Sequence, residues 1–326
     1  MSSAGSPRPA RQVAVATCLA LVFLLVFVGC FVIAEHKPVP HDLPVGLVTS
    51  PSTAARLGGA LDRTSPGALS LSIYPDRRSA EQALHEQRAY AVVLEEPATL
   101  HLLVTGATGE APESVISTAI GRFARATGVP LRVDDIQPIS PEDPRGLALF
   151  LGVLGMTLSA VLFRLLCFLL TRGATSWRVA ILGALPYAVL AGLGTATLLD
   201  PVLGVFSGHF LERAGLAALF SAAVVLDVAA FQRLLGIRGT ALAVLIIVIL
   251  GNSASGAPVD YRMLPGGFRE LSQIMLPGAL VTGLRHALYF QSSAILSPVA
   301  VMCGWALAGI AVILLAAARW KPPSVA

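Results

Sequence analysis

The chain has 326 residues, of which 55% are hydrophobic and only 13% are charged, and its mean hydropathy is +0.75. Soluble chains carry about a quarter charged residues, so the composition excludes a soluble globular protein, a disordered chain and a disulfide-stapled secreted scaffold. The charged residues behind the formal charge of +4 are distributed unevenly along the chain. Residues 35–145 hold ten basic and fourteen acidic residues, and the remainder holds thirteen basic and five acidic. This basic excess flanks apolar segments, as membrane topology requires, and does not indicate a nucleic-acid partner.

Six segments are apolar over the roughly 20 residues that a helix needs to cross a bilayer core about 30 Å thick. They are 13–34, 146–170, 177–199, 214–235, 240–259 and 295–318. The first could instead be a signal peptide cleaved after Val32-Ile33-Ala34, but its apolar core of 22 residues exceeds the usual range of about 7–15. A lipoprotein at Cys30 is a weaker alternative, because Phe27-Val28-Gly29 is a poor lipobox.

The short connections predict an orientation, since Arg and Lys resist translocation. The basic residues beside the spans fall on one side: Arg8 and Arg11, Arg172 and Arg178, Arg233 and Arg238, Arg319 and Lys321. We therefore expect a multi-pass protein of the plasma (inner) membrane, with residues 1–12 and 319–326 both cytoplasmic.

Residues 35–145 have the composition of a folded domain and lie between the first two spans, which places them outside the cytoplasm. Five short β-rich runs occur at 43–49, 69–74, 90–94, 99–104 and 131–133. Periodic helical stretches separate several of them, at 52–61, 79–86 and 113–126. The predicted fold class is thus an α-helical membrane protein with six transmembrane helices (1+5) and a small α/β extracytoplasmic domain between helices 1 and 2.

Two ionisable residues lie inside predicted spans, where a lone charge is costly and marks a function or a structural pair. Arg164 and Asp227 lie about 10 Å and 12 Å from the same face, counted at about 1.5 Å per residue. Their matching depths predict an ion pair between the second and fourth spans. The alternatives are that Arg164 snorkels to the interface while Asp227 is neutral, or that Asp227 carries protons.

The fifth span ends in a run of small, turn-forming residues, from Gly251 to Pro258, through which a helix cannot easily continue. Pro265 and Pro277 suit the first turns of two short re-entrant or interfacial helices on the outer face. Irregular backbone at membrane depth must be covered by protein or by a watery cavity. The segment 251–290 is therefore either a gate or cavity lining, or a plain amphipathic cap. The candidate lining residues are Gly251, Asn252, Ser255, Gly256, Pro277, Gly278, Arg285 and Tyr289.

No catalytic motif accompanies these features. A Walker A loop needs a lysine after glycine, whereas the two lysines, Lys37 and Lys321, follow His36 and Trp320. The four cysteines have no metal-ligand spacing, and the histidines of residues 35–145 belong to no catalytic grouping. We expect no enzyme activity, no cofactor and no metal.

Three blocks carry a family resemblance. Ser79-Ala80-Glu81-Gln82-Ala83-Leu84 is followed by the run 90–94, Gly251 begins a Gly-Asn-Ser-Ala-Ser-Gly-Ala stretch, and Leu276-Pro277-Gly278-Ala279 precedes Leu284-Arg285 and Tyr289-Phe290. In this order they resemble membrane subunits of type-2 ABC exporters, in the bacterial branch that includes phage-infection-protein-like proteins.

The resemblance implies a permease-like homodimer in the lipid bilayer that exports a hydrophobic or amphipathic substrate with an ATP-binding subunit in trans. Two departures bear on ATPase docking. Such permeases use an N-terminal interfacial helix, whereas about 12 residues precede the first span here. They also use a coupling helix between the second and third spans, whereas the connection 171–176 is a tight turn. The alternative is a non-transporting membrane scaffold or receptor whose outer domain binds a partner.

The predicted topology can be tested with reporter fusions or glycosylation acceptors. The turn 171–176 and the helix containing His85 should report opposite sides of the membrane. If both positions report the same side, the predicted arrangement of spans is wrong.

Overall fold

A computed structural model describes residues 8–143, 146–206, 208–290 and 294–319. The chain has two parts, a small α/β domain between the first two long helices and a helical membrane half. The α/β domain contains strands β1 (Leu43–Val48), β2 (Leu69–Ile73), β3 (Ala91–Glu96), β4 (Thr99–Val104) and β5 (Leu131–Asp135). Its helices are α2 (Pro51–Thr64), α3 (Arg77–His85) and α4 (Glu110–Thr127).

The five strands form one mixed sheet in the order β2-β1-β3-β4-β5. β1 pairs in parallel with β2 and β3, β3 and β4 form an antiparallel hairpin, and β4 pairs in parallel with β5. Each parallel pair needs a crossover, and the three helices supply them. α2 and α4 bury Leu57, Ile116 and Phe123 on one face, while α3 buries Ala83 and Leu84 on the other.

Local sequence signals explain these elements. Asp76 caps α3 by accepting a hydrogen bond from the backbone N–H of Ser79 at 2.7 Å. Ser50 caps α2 in the same way, and Gly128 ends α4 in the left-handed conformation. The small α/β domain predicted from the sequence is confirmed.

The other helices are α1, which precedes the sheet, and eight helices that follow it. Their bounds are α1 (Arg8–Glu35), α5 (Leu147–Leu170), α6 (Trp177–Leu182), α7 (Ala184–Thr197), α8 (Phe210–Leu235), α9 (Ile237–Ala243), α10 (Phe268–Ile274), α11 (Leu276–Tyr289) and α12 (Leu296–Arg319). π-helical turns follow α7 and α9, at Leu198–Val202 and Val244–Gly251.

Among the described residues, five helical segments are long and apolar enough to cross a membrane. They are Arg11–Glu35, Leu147–Leu170, Trp177–Val202, Phe210–Leu235 and Leu296–Ala318. This is the architecture of a membrane-embedded protein. The segment predicted as a fifth span, 240–259, is instead the apolar helix Ile237–Gly251. Its 15 residues reach about 22 Å, short of a core about 30 Å thick, so the count of six spans is not confirmed.

The two short helices predicted after this segment are present as α10 and α11. Pro277 lies in the first turn of α11, as predicted. Pro265 lies before Gly267, the cap of α10, rather than inside its first turn. α11 is buried along most of its length, so it packs within the protein and is not a surface cap.

α8 forms the centre of the membrane half. Its most apolar stretch is 72% buried, whereas that of α1 is 0% buried. Gly192 of α7 lies very close to α8, because a Cβ there would lie 2.4 Å from the carbonyl oxygen of Ala214. On the other side Gly309 of α12 packs against Leu226 and Asp227 of α8.

Gly192→Ala should destabilise the protein by about 1–3 kcal/mol, because the new methyl group has to push α7 away from α8. The matched control is Gly194→Ala in the same helix, where a Cβ meets nothing within 4 Å. The control should be neutral or slightly stabilising, since alanine favours helix over glycine. Thermal unfolding in detergent measures both. Equal melting temperatures for the two variants would contradict the close α7–α8 contact.

Candidate functional site

The connection between α9 and α10 joins the membrane half to the α/β domain. A single 3₁₀ turn, Tyr261–Met263, lies in this connection. Met263 is buried in the α/β core, and its carbonyl oxygen accepts a hydrogen bond from the backbone N–H of Val39 at 3.0 Å. The carbonyl oxygen of Arg262 likewise accepts from His41 at 3.0 Å. These bonds fix the start of the α/β domain onto the membrane half.

A buried carboxylate lies at the same junction. Asp260 is 2% exposed and accepts hydrogen bonds from the Tyr90 hydroxyl, with 3.2 Å to each carboxylate oxygen. The backbone N–H of Arg262 donates to it at 2.9 Å, and Nη1 of Arg285 lies 3.5 Å from its Oδ2. We call Tyr90, Asp260, Arg262 and Arg285 the junction cluster. Tyr90 lies just before β3, Asp260 and Arg262 lie in the connection, and Arg285 lies in α11. The cluster therefore holds three parts of the chain together.

Burial dominates the electrostatics of the junction cluster. Desolvation raises the pKa of Asp260 above its usual value, against the opposing effects of Arg285, the Arg262 N–H and Tyr90. Burial also raises the pKa of Tyr90 well above its usual value, and the Asp260 charge adds to the shift. The Tyr90 hydroxyl therefore stays protonated and remains a hydrogen-bond donor to Asp260.

A cavity of about 350 Å³ lies beside the junction cluster. We call it the junction cavity. The α/β domain contributes Ala107, Gly109, Glu110, Ala111 and Ser114. The membrane half and the connections to it contribute Ile139, Asp143, Gly146, Leu149, Phe206, Ala257, Pro258, Arg285, Leu288 and Tyr289. Charged and apolar side chains thus share one cavity, which suits an amphipathic ligand.

Of the eight candidate lining residues predicted from the sequence, Arg285 and Tyr289 line the junction cavity. Arg285 also donates to the Ala257 carbonyl oxygen at 3.2 Å. The other six do not line it and serve packing and backbone geometry instead. They are Gly251, Asn252, Ser255, Gly256, Pro277 and Gly278.

Close approach explains the glycines among these six. A Cβ at Gly251 would lie 2.9 Å from the Pro277 ring, and one at Gly278 would lie 2.0 Å from the Ser272 carbonyl oxygen. Gly256 has a φ of +74°, which disfavours other residues. Asn252 donates to the carbonyl oxygens of the preceding helical turn, and Ser255 accepts from the Ala257 N–H at 3.3 Å.

The predicted ion pair between Arg164 and Asp227 is wrong. Nη2 of Arg164 donates instead to Oε1 of Gln232 at 2.8 Å, and Nε2 of Gln232 donates to the Thr240 hydroxyl at 3.0 Å. Asp227 faces Gly309 of α12. At 3.6 residues per turn, the five residues from Asp227 to Gln232 turn the side chain by about 140° around α8. Matching depth did not reveal which side of α8 faces Arg164.

Tyr90, Asp260 and Arg262 of the junction cluster are not among the site residues predicted from the sequence. One signal was available, since Asp260-Tyr261-Arg262 interrupts an otherwise apolar region with three polar side chains. Asp143 is likewise not among the predicted site residues. Its carboxylate caps α5 by accepting from the N–H groups of Leu147 at 3.0 Å and Ala148 at 2.8 Å.

The fold and the site thus define a membrane-embedded protein with an α/β domain docked by a buried ionic cluster. Among the described residues, no group of three or more His, Cys, Asp or Glu side chains could hold a metal ion. No family model, curated protein or solved structure matches the chain.

Asp260→Ala should lower stability by about 3–5 kcal/mol, because it leaves Arg285 buried without a carboxylate. Asp260→Asn should cost less, since the amide oxygen still accepts from Tyr90 and the Arg262 N–H. Asp62→Ala, at an exposed aspartate of α2, is the control and should unfold like the wild type. Thermal unfolding of the full chain in detergent tests this order. If Asp260→Ala has the same melting temperature as the wild type, the junction cluster does not hold the two halves together.

Proposed function

We propose that the chain is a permease-like membrane subunit of an ABC-type exporter, which moves a hydrophobic or amphipathic substrate with a separate ATPase. The observation that carries this proposal is the junction cavity, whose walls come from both the α/β domain and the membrane half. A cavity with walls on two bodies changes shape when one body moves against the other. Such a change is what alternating exposure of a substrate requires.

The lining supports an amphipathic substrate. Leu149, Phe206 and Leu288 supply apolar surface, while Arg285 and Glu110 supply opposite charges. The volume of about 350 Å³ lies within the range of small-molecule sites, roughly 300–1,000 Å³. A larger amphiphile would have to extend from the cavity into the membrane half.

The energy source would be a partner. The sequence contains no Walker A loop, so the proposal assigns ATP hydrolysis to a subunit in trans. A homodimer in the plasma membrane, with both termini cytoplasmic, completes the proposed assembly. The apolar surface that α1 leaves uncovered within one chain is available for a second copy.

One observation favours the alternative of a non-transporting scaffold or receptor. α5 ends at Leu170 and α6 begins at Trp177, so six residues join them and no helix is available there to receive an ATPase. In this alternative the α/β domain binds a partner outside the membrane, and the junction cluster only anchors the domain.

Affinity purification of the full chain in a mild detergent distinguishes the two proposals. For an exporter subunit we expect an ATPase in stoichiometric amount. Arg172→Glu, in the turn between α5 and α6, should lose most of the ATPase. The exporter proposal places the ATPase on the cytoplasmic side, where this turn lies, and a reversed charge there would oppose its docking. Arg122→Glu, at an exposed arginine of α4, is the matched control and should retain it. Absence of any ATPase from the wild type in several detergents would refute the exporter proposal and favour the scaffold.

A further inference from the structure

Arg213 in the first turn of α8 is a buried cation with unused donors. The side chain is 3% exposed, and its Nη2 pairs with the carboxylate of Asp200 in the π-helical turn after α7. Its Nε and Nη1 are buried and have no hydrogen-bond partner. The guanidinium also lies 5.9 Å from the centre of the Phe206 ring. Buried charged donors without an acceptor are costly, so this site is suited to an additional oxygen ligand.

Arg213 lines a small, mostly apolar cavity between α5, α7 and α8, which we call the neck. The neck holds about 20 Å³, which is room for one water-sized group. It shares Leu149 and Phe206 with the junction cavity. A single ligand oxygen entering the neck would therefore be in the same small cavity as the unused donors of Arg213.

The neck adjoins a groove of about 360 Å³ between α5 and α7. We call it the α5–α7 groove. The neck and the groove share Gly152, Met156, Thr195 and Leu199. From Leu199 the groove extends along α7 to Tyr187, whose hydroxyl donates to Ser159 at 2.9 Å. These twelve residues of helix rise about 18 Å, close to the thickness of one leaflet, which is about half of 30 Å.

Small residues keep the groove open. A Cβ on Gly155 of α5 or on Gly194 of α7 meets nothing within 4 Å. Exposed Leu151, Leu190 and Leu198 form apolar walls. The groove thus accommodates a hydrocarbon chain, and at Leu199 it adjoins the neck that Arg213 lines.

We propose that this surface binds one glycerophospholipid from the leaflet on the side of the α/β domain. A phosphate oxygen accepts from Arg213 in the neck, and an acyl chain lies in the α5–α7 groove. The charged groups near the phosphate position are Asp200, which pairs with Arg213, and Arg285 and Asp143, which line the adjoining junction cavity. Glu110 lines the junction cavity with Arg285 and Asp143, so the groups are two basic and three acidic, and a singly charged phosphodiester fits better than a free multivalent anion. The proposal holds whether or not the protein transports.

Native mass spectrometry of the full chain tests the proposal, with phosphatidylglycerol, diacylglycerol of the same chains and inorganic phosphate as probes. We expect one tightly retained phosphatidylglycerol, at least tenfold weaker binding of diacylglycerol, and no competition by millimolar inorganic phosphate. Equal binding of diacylglycerol would overturn the role of the phosphate. Displacement of phosphatidylglycerol by inorganic phosphate would overturn the proposal that the bound phosphate belongs to a lipid.

Two variants separate the cation from the groove. Arg213→Gln should weaken phosphatidylglycerol binding at least tenfold. Because this change also removes the partner of Asp200, a second variant leaves that pair intact: Gly194→Leu fills the groove and should have a similar effect. Gly304→Leu, at an exposed glycine of α12 with nothing within 4 Å, is the matched control and should bind like the wild type. Wild-type binding by Gly194→Leu would overturn the proposed position of the chain.

Discussion

A carboxylate removed from water must be compensated by donors or cations close to it, and Asp260 obtains them from distant parts of the chain. Tyr90 lies just before β3 in the α/β domain, Arg285 comes from α11, and the Arg262 N–H comes from the connection between α9 and α10. Displacing any of these parts would leave a buried charge poorly compensated. Asp260 therefore helps to fix the α/β domain on the membrane half, together with Met263, which is buried in the α/β core.

The same constraint explains why the functional features cluster at this end of the membrane half. Buried polar groups next to apolar helix surface create cavities with mixed linings, and the junction cavity and the neck both have that character. In the junction cluster the Asp260 carboxylate accepts from Tyr90, the Arg262 N–H and Arg285, although Nε of Arg262 has no partner. At Arg213 two nitrogens remain without acceptors, which is why a ligand is inferred there and not at Asp260. The junction cavity thus underlies the proposed movement between the two parts, and the adjacent neck underlies the proposed lipid site.

The local elements were largely predictable. The strands, the helices of the α/β domain and the Asp76 cap follow from β-rich runs, helical periodicity and capping chemistry, all of which act over a few residues. The predicted fifth span has a related explanation. The residues after its apolar part, from Gly251 to Pro258, are small and turn-forming, and the apolar helix ends at Gly251, which packs closely against Pro277. Among the predicted site residues, Arg285 and Tyr289 line the junction cavity, while the glycines and Pro277 form tight packing contacts.

The sequence by itself determined that hydrocarbon surrounds much of this chain and that a small α/β domain interrupts the helices, because apolar length and residue periodicity are local properties. Only the tertiary structure decided that Arg164 pairs with Gln232, that Asp227 faces Gly309, and that Tyr90 meets Asp260 across 170 residues. The physical reason is that hydropathy gives the depth of a helical residue but not the neighbour that its side faces. Which buried charge meets which donor depends on how all the helices pack at once.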